Sequence, residues 1–280
     1  MNFIDTHLHY WDRDRFHYGW LDATAPTSVL PQQLPARADR AGAIFVQADC
    51  DRAEGLEEAR WAAGLPGVSA VIAFAPVEHG GGVISWLEAL HTISAVRGVR
   101  RLLQDAPDEL LLDAQTIVGL RRVGSEGFVF DACVRARQLP SLTRLAAAVP
   151  ETTIVLDHLG KPPVAAGIQT EPGRAWMVAL QDLAQLPNVH VKLSGLAAEA
   201  DQDVPLDPQA RPFLHHALET FGGNRCLIGS DWPVSTRDAA GYDSWISLVD
   251  ELGASTDERA RILADNAIST YALDLTVPGA

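Results

Sequence analysis

Eight short apolar runs with amphipathic stretches between them predict an α/β protein folded as a single closed (β/α)8 barrel, the TIM-barrel architecture. Three observations lead there. The runs start roughly 25–40 residues apart, the spacing of successive βα units. They are continuously apolar rather than alternating, as parallel strands covered on both faces are. No Gly-x-Gly-x-x-Gly follows any of them, which counts against an open doubly wound sheet.

The runs are Phe3–His9, Ala43–Asp49, Ser69–Pro76, Gly98–Gln104, Phe128–Val134, Thr153–His158, Val189–Ser194 and Cys226–Asp231. Between them, apolar residues recur at helical spacing in Gly55–Ala63, Val83–Ile93, Ala114–Val123, Ser141–Val149, Arg174–Gln185 and Pro212–Phe221. A last helix, near Asp257–Leu273, is expected to close the end of the barrel. The proline-containing stretches Ala25–Pro35 and Lys161–Pro172 read as long loops. No linker or internal repeat divides the chain, so residues 1–280 are expected to form one domain.

Composition narrows the function. A formal net charge of −14, with no long basic run, argues against nucleic acid and anionic membrane as partners. Cys50, Cys133 and Cys226 are far apart and odd in number, which supports neither a disulfide framework nor a zinc knuckle. Strand-like sequence begins at residue 3 and no run of about 18 apolar residues occurs, so a cytoplasmic protein without a targeting segment or membrane span is expected. The expected partner is a small molecule; the oligomeric state is not legible.

Catalytic groups of such a barrel sit at the C-terminal ends of its strands. Polar residues gather there. The first run ends in His7 and His9, which share a strand face with Asp5 if the alternation holds. Two adjacent imidazoles can hold a divalent cation or polarise one substrate oxygen. The second run carries Gln47, the fourth Arg100, the fifth Asp131, the seventh Lys192 and Ser194. The sixth ends in Asp157-His158 and the eighth in Gly229-Ser230-Asp231-Trp232. Read singly, His158 is as easily a hydrogen-bonded core residue, and Asp231 a helix cap. Asp157, on the opposite strand face from His158, reads as structural. Lys192 and Arg100 can pair with Asp131 or Asp5 inside the barrel. Together, polar groups on seven strand ends point to a site.

The order of motifs, Asp-Thr-His-Leu-His at 5–9, Leu-Asp-His-Leu-Gly-Lys-Pro at 156–162, Lys-Leu-Ser-Gly at 192–195 and Gly-Ser-Asp-Trp-Pro at 229–233, resembles the amidohydrolase superfamily. More narrowly it is similar to the lactonase-type branch that acts on sugar-acid lactones such as L-fuconolactone and L-rhamnonolactone. The resemblance runs from residue 3 to about 273. It implies a hydrolase of cyclic esters. In the wider superfamily the strand-one pair and the strand-eight aspartate hold a metal, and groups on strands four and five often complete a second site. Here strand four offers Arg100 and Gln104, and strand five offers Asp131 and Cys133 without a histidine. The resemblance therefore implies at most one divalent ion, zinc or manganese, on His7, His9 and Asp231, with metal-independent hydrolysis the alternative.

The expected chemistry assigns Asp231 as general base toward water, with His7, His9 and His158 polarising the carbonyl. Gln47, Arg100, Lys192 and Ser194 are the expected polar contacts to substrate, and Trp20 and Trp232 the stacking surfaces. A carboxylated pyrone or muconolactone-type lactone is the alternative substrate, which Arg100, Arg135, Arg137 and Lys192 would bind. A related barrel decarboxylase is a further alternative.

Overall fold

The computed structural model describes residues 1–236, 238–253 and 255–275. Among these, eight parallel strands follow one another round a barrel in chain order. They are β1 (Phe3–Leu8), β2 (Arg40–Val46), β3 (Val68–Phe74), β4 (Val96–Leu102), β5 (Val129–Cys133), β6 (Ile154–Leu156), β7 (Val189–Leu193) and β8 (Cys226–Ile228). The expected (β/α)8 barrel is the observed fold. Its seam is closed just beyond the last strand: Asp231 N–H donates to His7 C=O at 2.7 Å, and His9 N–H to Trp232 C=O at 2.8 Å. Asp5 stitches the same seam, accepting from Ser230 N–H at 2.8 Å and from the Tyr242 hydroxyl at 2.9 Å.

Helices α1 (Gly55–Ala63), α2 (Ile84–His91), α3 (Ala114–Ser125), α4 (Leu139–Ala148), α5 (Glu171–Ala184) and α6 (Leu206–Phe221) fill the connections from β2 onward, and α7 (Ala239–Asp250) follows β8. The first connection is a loop, in line with the long loop expected near Ala25–Pro35 and with the absence of an amphipathic stretch before Gly55. Among the described residues, 9–39 contain no α-helix, only a ribbon of Trp11–Asp12 against Ser28–Val29 and a 3-10 turn at Pro31–Gln33. Pro26, Pro31 and Pro35 remove donors and fix the backbone where a helix would have to run. This segment instead carries Trp20 over the mouth of the barrel.

The C-terminal helix forms as expected. It runs from Thr256 to Thr270 with a π turn at Arg261–Asp265. Asn266 Nδ2 pins it under β8, donating to Gly223 C=O and Cys226 C=O at 2.7 Å each. Ile4, Ile44, Ile72, Val155 and Leu227 form an apolar cluster with Ala264, Ala267 and Tyr271 of this segment, which plugs the barrel base. Burying each such aliphatic side chain contributes roughly 1.5–3 kcal/mol. The larger core lies between the barrel and the helix ring. Among the described residues no helix is long and apolar enough to cross a membrane.

Candidate active site

His7 and His9 come off the end of β1, where the register shifts between Asp5 and Leu8. The shift breaks strict alternation, and Asp5 turns to Ser230 and Tyr242 rather than joining the histidines. Each imidazole is oriented through Nδ1. His9 Nδ1 lies 2.8 Å from Val46 C=O, and His7 Nδ1 lies 3.2 Å from Asp157 Oδ1. Donation to those acceptors places the free lone pair of each ring on Nε2. The two Nε2 atoms are 3.2 Å apart and face Asp231 Oδ1, at 3.3 Å from His9 and 3.6 Å from His7.

Three such groups converging this closely suit a cation, and Arg100 NH1 also reaches His7 Nε2 at 3.5 Å. Ligands on a tetrahedral zinc-sized ion stand about 3.3 Å from one another, and these separations match. Carbonyl and carboxylate partners on Nδ1 are the outer contacts that metal-bound histidines use. The donor set thus fits one divalent ion. His7, Asp157 and His158 also converge. There the Lys192 ammonium, 3.1 Å from Asp157 Oδ1, already supplies the positive charge.

Asp231 sits in the left-handed region at φ 56°, which aims its carboxylate back into the barrel. Its Oδ2 accepts from Ser235 Oγ at 2.5 Å. Burial would raise the Asp231 pKa, but His158, His9 and His7 facing it hold it well below the usual carboxylate range. His158 Nε2 is 3.9 Å from Asp231 Oδ1, and its Nδ1 meets Ser194 Oγ at 2.9 Å. Burial lowers the His158 pKa to about 4, so the ring is neutral at pH 7. Two glycines make room. A Cβ on Gly195, at φ +72°, would lie 2.2 Å from His158 Nδ1, and one on Gly229 would lie 2.8 Å from His7 Cβ.

The placement of Asp157 on the far strand face from His158 does not hold, while its structural reading fits a fully buried carboxylate. β6 ends at Leu156, and His158 and Leu159 adopt φ of 55° and 54°, so strand parity no longer applies. Asp157 therefore points to His7, Lys192 and Arg100. Burial pushes its pKa up, but Lys192 and His7 hold it well below the ordinary value. Lys192 is fully buried and also bonds Asp131, which Tyr271 holds from the base at 2.9 Å.

A cavity of about 510 Å³ opens above these groups, lined by His9, His158, Asp231, Arg100 and Trp20 among others. Arg100 NH1 lies 3.5 Å from His7 Nε2 and 3.5 Å from Asp157 Oδ2, bringing a fixed cation beside the histidines. Trp20 is 45% exposed, with its indole N–H donating to Ala48 C=O at 2.7 Å. Gln47, Lys192 and Trp232, expected at the substrate, are buried and do not line the cavity. Gln47 Oε1 instead accepts from Asp49 N–H, and Trp232 packs on Tyr10. Ser194, also expected at the substrate, is buried and faces His158 Nδ1. Sequence reasoning missed Ser235 and the inward turn of Asp157; an i, i+4 serine after Asp231 was the available signal for the first.

At the rim every guanidinium meets a carboxylate among the described residues: Arg101 and Arg52 share Glu78 at 2.9 and 3.3 Å, Arg135 meets Asp105 at 2.8 Å, and Arg137 meets Asp108. Lys161 faces Glu199 at 3.9 Å.

Known proteins share this arrangement of chain and fold. An L-fucono-1,5-lactonase of Burkholderia multivorans is 33% identical over 96% of both chains. Its counterpart in Burkholderia ambifaria is 37% identical over 64% of this chain and 62% of that one. A crystal structure of a Burkholderia multivorans amidohydrolase with bound zinc is 30% identical, covers 98% of this chain and 100% of its own, and superposes with a TM-score of 0.83. The amidohydrolase family model matches residues 4–273, nearly the whole barrel, and the chain belongs to the amidohydrolase family.

Proposed function

We propose that the protein hydrolyses a neutral, hydroxylated lactone of the sugar-acid type, with L-fucono- or L-rhamnonolactone as leading candidates. The paired rim carries this reading. A dicarboxylated pyrone needs two cations free to meet its carboxylates, whereas Arg52 and Arg101 in the wall of this cavity already share Glu78, and Asp49 adds a negative charge beside them. The lactonases among the relatives support the same reaction class.

In this reading Asp231 takes the proton from the attacking water, and Ser235 fixes the carboxylate while it does so. Ser194 donates to His158 Nδ1, which leaves Nε2–H facing the cavity as a donor to the developing oxyanion. Arg100 adds fixed positive charge on the same side. The proton on Asp231 then passes to the leaving ring oxygen. A divalent ion on His7, His9 and Asp231, zinc or manganese, supplies Lewis-acid polarisation and a more acidic water when bound.

A pH-indicator screen tests the proposal: aldonolactones of five- and six-membered ring against 2-pyrone-4,6-dicarboxylate, with and without chelator. At least tenfold higher kcat/KM for neutral aldonolactones is expected. Turnover confined to the dicarboxylate overturns the neutral-substrate reading, and acid release from no lactone overturns the reaction class.

A further inference from the structure

Glu58, on α1, is a 1% exposed carboxyl that the chemistry above does not use. Both its oxygens face Ala48 N–H, at 3.2 and 3.4 Å. The carbonyl of that same peptide unit, Gln47 C=O, accepts from Arg100 NH2. One peptide thus lies between a guanidinium at its oxygen and a carboxyl at its hydrogen. The other contacts of the guanidinium are longer, NH1 at 3.5 Å from Asp157 Oδ2 and His7 Nε2, and its Nε is buried without a hydrogen-bond partner. The neighbouring carbonyl, Ala48 C=O, accepts from the Trp20 indole. A charged group at each end of a peptide polarises it and strengthens both hydrogen bonds.

We propose that Glu58 is a positioning residue for Arg100: ionised, it grips the Gln47–Ala48 peptide and orients the guanidinium toward the cavity, and protonated, it relaxes that grip. The proposal rests on the lactone-hydrolase reading for its activity readout only. The titratable and charged groups facing Glu58 are Tyr18 from the first loop, Cys50 from the turn after β2 and Arg100 from β4. Burial raises the Glu58 pKa to about 7, with Ala48 N–H, Tyr18 and Arg100 opposing. The switch therefore falls near neutral pH.

The test is the pH profile of kcat/KM on an aldonolactone for wild type, Glu58→Gln and Tyr18→Phe. Glutamine keeps an acceptor for Ala48 N–H and removes the charge. Wild type is expected to lose five- to tenfold on its acid limb with a midpoint near 7, and Glu58→Gln to lack that limb, matching wild type at pH 5.5 and falling five- to tenfold below it at pH 8. Tyr18→Phe removes a group that lowers the Glu58 pKa, so its midpoint moves to higher pH. The same limb in wild type and Glu58→Gln overturns the proposal; should Glu58→Gln not fold, an unmoved midpoint in Tyr18→Phe does so. The arginine Nε–H resonance assigned through Arg100→Lys is read in parallel. It is expected to titrate near pH 7 in wild type, and its invariance overturns the proposal even if no lactone is hydrolysed, an outcome that separately removes the lactone reading.

Discussion

At the scale of single residues, the site is a set of acceptors whose protons have been directed outward. Val46 C=O and Asp157 occupy the Nδ1 sides of His9 and His7, so both Nε2 atoms and Asp231 Oδ1 face inward. Asp231→Asn removes the negative charge and the proposed base together. It is expected to lower kcat by about 10³-fold, within the range for general-base removal, while circular dichroism stays that of wild type; a loss under tenfold removes Asp231 from this role. Gly195→Ala adds a Cβ at φ +72° that collides with His158 Nδ1. Strain in that backbone region costs about 1–3 kcal/mol, so a lower Tm and lower kcat are expected, measured by calorimetry and steady-state kinetics. These two residues differ in how they could be read. Asp231 was legible from its run and motif. The need for glycine at 195 was not, because it depends on a histidine 37 positions away in sequence coming to rest against it.

At the scale of elements, the strand ends were legible and their side-chain directions were not. Apolar runs marked all eight strands, since a buried parallel strand leaves no room for charge until its end. Face parity then failed twice, at the β1 irregularity that diverts Asp5 and at the left-handed turn after β6 that swings Asp157 inward. Both failures occur where a strand stops, which is where the site is built. The loop in place of a first helix was legible in Pro26, Pro31 and Pro35, whereas α7 was not among the amphipathic stretches read from the sequence. Asp5 turned away from the histidine pair to hold the end of β8 and α7. Tyr242→Phe leaves Asp5 Oδ2 without its buried donor. An unsatisfied buried acceptor costs about 1–3 kcal/mol, so denaturant titration is expected to show that loss with an unchanged m-value.

At the scale of the whole molecule, charge is buried in the barrel as one connected set. Tyr271 holds Asp131, Asp131 and Asp157 hold Lys192, and Asp157 holds His7. Burial raises the Asp131 pKa while Lys192 opposes it. The Lys192 pKa is raised: burial lowers it, and the two carboxylates outweigh that. Lys192→Met removes the shared cation and leaves two acids buried together. Breaking such a set costs about 3–5 kcal/mol, and a chain that unfolds at markedly lower denaturant is expected. Zinc at 100-fold over its Kd is expected to stabilise the fold by about 2.7 kcal/mol, read as a Tm rise that chelator reverses and His9→Asn abolishes. Glu58 adds a pH term. Its raised pKa makes stability relative to Glu58→Gln fullest below about 4.5, the ordinary carboxyl value, and lost as pH rises through about 7. A Tm difference between the two proteins that stays flat from pH 4.5 to 8 contradicts this.

The seam between β1 and β8 has a consequence for how the protein is made. Its two imidazoles come from β1 and are synthesised early relative to the carboxylate they face, which follows β8, 222 residues after His9. A chain still on the ribosome, or one truncated before that point, carries an incomplete ligand set. The convergence of His7, His9 and Asp231 therefore reports closure of the barrel, because it exists only once the last strand has found the first.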